Sequence, residues 1–100
     1  MQLTRLEYQV RMEEQLRQWS LRRDAIREMA ERAGADIKRS VWLEFSEIEK
    51  LLVSGRKHLH GLETMAIDAW EAGKVEIVEK WNLVGGSVDA VWVRVRNMAR

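Results

Sequence analysis

The chain has 100 residues, with 17 Lys or Arg against 16 Asp or Glu, so it holds one domain with a modest core and a net charge of +1. It has no Cys, which excludes disulfide scaffolds, zinc knuckles and thiol catalysis. The balanced charge argues against a dedicated nucleic-acid binder.

Met1 to Val10 carries charges and lacks the apolar block of a signal peptide, and no apolar run is long enough for a membrane span. A cytoplasmic location is therefore expected. The first segment, residues 1–25, reads as an irregular or heptad-like helix. Tyr8, Met12, Leu16, Trp19, Arg23 and Ile26 form a stripe at steps of four and three. Leu3, Leu6 and Val10 fall on a different face, which leaves two readings open: separate packing of the N-terminus, or fraying.

The second segment, residues 26–100, is organised by a spacing of eleven. Ile26, Ile37, Ile48, Leu59, Trp70, Trp81 and Trp92 make one row. Met29, Ser40, Leu51, Leu62, Gly73, Val84 and Val95 make a second, and Ala33, Glu44, Gly55, Ala66, Ile77, Val88 and Ala99 a third. Of these 21 positions 17 are apolar, two are Gly, and only Ser40 and Glu44 are polar. Eleven residues in three turns is about 3.67 per turn, so the stripe hardly drifts around a straight helix and implies a weak right-handed supercoil. The chain also has no Pro to force a stop. The expected fold is all-α: one long, nearly continuous helix in a parallel homo-oligomeric coiled coil of hendecad repeats.

The alternative is a helical hairpin or bundle with turns near Gly34, Gly55 or Gly85-Gly86. Gly34 could end one helix, with Asp36 capping the next, and Ser87 could cap a last helix after Gly85-Gly86. Against these turns, the phase of the stripe survives every glycine, whereas a turn usually resets it. A weaker alternative is a β-hairpin pairing Val75 to Val84 with Val91 to Arg96.

An apolar seam on one helix needs a partner, because burying each such side chain is worth roughly 1.5 to 3 kcal/mol. Self-association through the stripe is the first expectation: three or more chains, with a tetramer best suited to a face widened by Val41, Phe45, Leu52, Ile67 and Val78. The expected interface is the stripe itself without its two polar positions. Ser40 and Glu44 are either register-fixing defects or plain poor packing.

No constellation for chemistry emerges. His58 and His60 point apart on a helix, and His60 with Glu63 supplies only two ligands, so no metal or other cofactor is expected. The acidic pairs Glu13-Glu14 and Glu47-Glu49 have no cleft to shift their pKa values. Gly85-Gly86-Ser87 lacks the Lys and the glycine spacing of a phosphate loop. The cluster Arg22, Arg23, Arg27, Lys38 and Arg39 is mixed with acids and reads as a solvated face. Arg94, Arg96 and Arg100 suit a helix C-terminus better than an anionic membrane. Trp42, beside the stripe, is the tryptophan that best suits a contact outside the seam.

The resulting functional expectation is a structural oligomerisation module, a stalk, spacer or assembly piece, and not an enzyme. One alternative is a lipid-surface helix, since the eleven-residue period resembles that of exchangeable apolipoproteins in period alone. A weaker one is a small helical bundle that binds a partner protein.

Overall fold

The computed structural model describes residues 4–98. Thr4 starts the first helix: its hydroxyl accepts from the Glu7 amide at 3.1 Å, and Glu7 places a carboxylate at the positive end of the helix. Helix α1 then runs from Arg5 to Arg32, α2 from Ala35 to Glu63, and α3 from Ile67 to Met98. The all-α expectation holds, but the single long helix is not formed. Three helices fold back on one another into an elongated bundle of 53 × 20 × 17 Å, far short of the rod of roughly 150 Å that a fully helical chain would make.

Only one of the three expected glycine turns is used. Ala33 and Gly34 are both extended, Gly34 being the N-cap of α2, and Asp36 sits in the first turn rather than at the cap. No residue there needs a left-handed conformation. The second reversal has no Gly or Pro in it. It falls at Thr64, Met65 and Ala66, where the Thr64 amide bonds to the His60 carbonyl and its hydroxyl bonds to the carbonyls of His60 and Gly61. Arg5 caps the same end from a distance, donating at 3.1 Å to the carbonyls of Leu62 and Glu63. A cation on the last carbonyls of α2 satisfies acceptors that the helix leaves open.

The rows of the stripe run on in the sequence through both breaks, which occupy residues 33–34 and 64–66. Gly55 and Gly85-Gly86 lie inside α2 and α3, so the turns expected there do not occur. The strand-like alternation of Val91 to Arg96 is part of α3. The boundary drawn between residues 25 and 26 falls within α1.

The core runs the length of the bundle. Met12, Ile26, Ile48, Leu52, Val88 and Val95 are fully buried, and no charged side chain is buried among the described residues. Helices α1 and α3 run parallel, with α2 antiparallel to both. Their register is visible in two aromatic pairs, Tyr8 with Trp70 and Trp19 with Trp81, each 62 positions apart. Trp19 and Trp81 stack with centroids 4.8 Å apart. This stack needs room, and glycine supplies it. A Cβ on Gly55 would come within 2.9 Å of Leu16, 3.5 Å of Trp19 and 3.6 Å of Trp81, and one on Gly85 within 3.3 Å of Trp19. These glycines permit close packing of helices instead of ending them.

Candidate docking groove

The stripe assigned from the sequence to an oligomer interface is largely covered by the chain's own helices. Ile26, Ile48, Gly55, Leu62, Trp70, Trp81, Val84, Val88 and Val95 are buried; Met29, Ala33, Ile37, Leu51, Leu59, Gly73, Ile77 and Trp92 are half-buried. Ala66 is exposed at the second turn, as is the neighbouring Ile67, and Ala99 lies outside the described residues together with Leu3 and Arg100. Glu44, the one charge on the stripe, is neutralised by Arg94, which donates to both its carboxylate oxygens at 2.9 Å. The two-pronged pair ties α2 to α3 at one register. Ser40 is exposed.

The apolar groups left uncovered are elsewhere. Helices α1 and α3 meet through their aromatic pairs, and polar bridges join them on one side. Trp81 Nε1 donates to Gln15 Oε1, Arg22 pairs with Asp89, and the Arg22 guanidinium lies 5.7 Å from the Trp92 ring centroid. Between the two helices lies an open groove of about 650 Å³ lined by Tyr8, Val10, Arg11, Gln15, Val78 and Trp81 among others. Val10, which lines it, is 57% exposed. Leu21, Val75 and Val93 are exposed on the same two helices but outside the lining of the groove. The sequence pattern sets Val10 on a separate face from the stripe.

The rim of the groove is charged and stays so. Hydrogen bonds from Arg17, and then from Gln18, hold the Glu14 carboxyl well below its ordinary value, at about 2. At the floor, Tyr8 is buried, and its hydroxyl has no hydrogen-bond partner among the described residues. Burial pushes this phenol up from 10, with Arg11 opposing the shift. The fold therefore favours the neutral form, so the stability it gives is complete below pH 10 and is lost as pH rises through the raised value. Tyr8→Phe is expected to remove that alkaline loss and to raise stability at neutral pH by up to about 1 kcal/mol, because it deletes an unsatisfied buried hydroxyl. Urea titrations at about pH 7 and about pH 11, on either side of the ordinary phenol value, measure both effects; a loss of stability at neutral pH would mean that the hydroxyl has a partner.

The other motifs do not converge. Among the described residues no three His, Asp or Glu gather into a metal-holding cluster, and His60 is exposed on α2. Trp42 packs edge-on against Phe45 at 5.3 Å on its own helix. A second hollow of about 340 Å³, between the first turn and the end of α3, is lined by apolar side chains and Arg32, but Arg32 is engaged with Glu28. No helix is long and apolar enough to cross a membrane among the described residues.

Comparison of the chain with protein-family models, with curated proteins and with solved structures finds no match.

Proposed function

We propose that this chain is an assembly module without chemistry of its own: a three-helix bundle that joins other helices through the groove between α1 and α3. The observation that carries the reading is the open groove between the two helices, with Tyr8, Val10, Val78 and Trp81 in its lining. Single exposed apolar residues are ordinary, but an open hollow with an apolar floor and a charged rim has the anatomy of an interface.

The single-helix coiled coil expected from the stripe is not formed, and association is kept here as a proposal. The eleven-residue stripe is used largely in folding the monomer, and association falls to the residual surface. The lipid-surface alternative loses support for the same reason, since the wide apolar face it requires is turned inward.

An exposed groove residue kept for docking contributes little to the fold. Val10→Lys is expected to change unfolding free energy by no more than about 0.5 kcal/mol in urea titrations at low micromolar concentration. A loss above about 2 kcal/mol would assign this side chain to the core and end the docking reading.

A further inference from the structure

We propose that the turn between α2 and α3 is a hinge latched by Arg5, and that on its release α2 and α3 fuse into one helix whose α3 half is exchanged with a second copy of this chain. The inference is independent of the groove. It concerns the reversal at Thr64, Met65 and Ala66.

Nothing local in that reversal demands a turn. Met and Ala are among the best helix formers, and no described residue has a positive φ. Thr64, at φ −95° and ψ 1°, already borders the helical region. The first turn differs, since Ala33 and Gly34 are both extended and Gly is a poor helix former. The stripe gives a second sign. Leu59, Leu62, Ala66 and Trp70 follow one another at steps of four and three, so a helix running through the hinge carries them on one face. Among the described residues, Ala66 is the one apolar stripe position that the monomer leaves exposed. In the fused helix it joins Leu62 and Trp70 on the covered side.

Fusion is held back by a competition for two acceptors. In a continuous helix the carbonyls of Leu62 and Glu63 accept from the amides of Ala66 and Ile67. In the monomer Arg5 Nη1 donates to both carbonyls, each at 3.1 Å. The guanidinium brought in by α1 thus occupies the acceptors that helix propagation needs. A single opened chain strips α3 from the core and exposes Trp70, Trp81 and Val88, which are buried in the monomer. Two opened chains recover that burial. Helix α3 already runs antiparallel to α2, which is the direction in which one fused helix meets an antiparallel twin. Each α3 then fills in the other copy the place it left in its own, with the same contacts. The hinge and the chain concentration decide between the two forms.

Refolding from urea at millimolar concentration, followed by light scattering, reads the exchange. The unmodified chain is expected to give mostly the monomer of 11.8 kDa and a minor dimer. Arg5→Ala, which frees the two carbonyls, and Thr64→Ala, which raises helix propensity at the hinge, are each expected to increase the dimer fraction several-fold. Circular dichroism checks that each variant is folded. Ile67→Pro should abolish the dimer in either background. Position 67 opens α3, where Pro is accepted, but inside a fused helix it offers no amide to Glu63 and collides with that carbonyl.

Because the chain has no Cys, spin labels on Lys50→Cys and Ser87→Cys report the fused helix directly. Both positions are exposed, and the Glu44–Arg94 pair sets them at nearly the same level of the monomer, across a section of 20 × 17 Å. One fused helix places them 37 positions apart, or roughly 55 Å. Labelled chains refolded with an excess of unlabelled ones should show the long distance in the dimer and the short one in the monomer. The exchange is overturned if Arg5→Ala and Thr64→Ala both stay monomeric, or if the dimer survives Ile67→Pro. A dimer that keeps the short distance overturns it too, being two closed bundles in surface contact.

Discussion

Trp81→Glu is expected to unfold the chain outright. The indole is 1% exposed, stacks on Trp19, donates to Gln15 and rests over Gly55. Losing a buried Trp costs about 3–5 kcal/mol in packing, and a carboxyl on that buried site either stays charged or takes up a proton at further cost. The sum is comparable to the whole stability of a small domain, about 5–15 kcal/mol. Far-UV circular dichroism at room temperature should show the helical signal largely gone, whereas Trp81→Phe, which keeps a ring but loses the hydrogen bond, should stay folded. This separates two meanings of the stripe. Were Trp81 a seam between chains, the charge would leave helical monomers behind; within a monomer core it leaves no fold.

The second large effect is expected at Trp19, and it comes with a rescue. Trp19→Ala opens a cavity whose walls include two glycines, Gly55 and Gly85, which have no side chains to collapse into it. The cost should therefore lie at the upper end of the range of about 3–5 kcal/mol. Gly55→Leu alone is destabilising by about 1–3 kcal/mol or more, since even its Cβ would stand 2.9 Å from Leu16. Combined, the leucine fills part of the space that the indole vacates. The double variant is expected to be more stable than the sum of the single losses predicts, with a coupling of about 1–2 kcal/mol in urea titrations. Simple additivity would show that Gly55 does not exist to seat this ring.

Much of the fold is legible before any tertiary contact is considered. The helical class follows from the spacing and the absence of Pro. The core residues Ile26, Ile48, Trp70, Trp81, Val88 and Val95 follow from periodicity, because burying an apolar stripe is the dominant favourable term whichever partner covers it. The candidate groove is less legible. Val10 and Val78 line it, and neither belongs to a row of the stripe.

Local spacing thus carries the helices and the identity of their apolar face, since both depend on residues within a few turns of one another. What covers that face depends on groups far apart in the chain. The phase of the stripe does not mark the turns, since its rows run on through the breaks at residues 33–34 and 64–66. The second turn is held by groups brought in from afar, with Arg5 on the carbonyls of Leu62 and Glu63 as the plainest case. Glycine points the wrong way for a related reason. A missing side chain serves a turn and a close helix contact equally well, and only the position of Trp19 against Gly55 and Gly85 distinguishes the two.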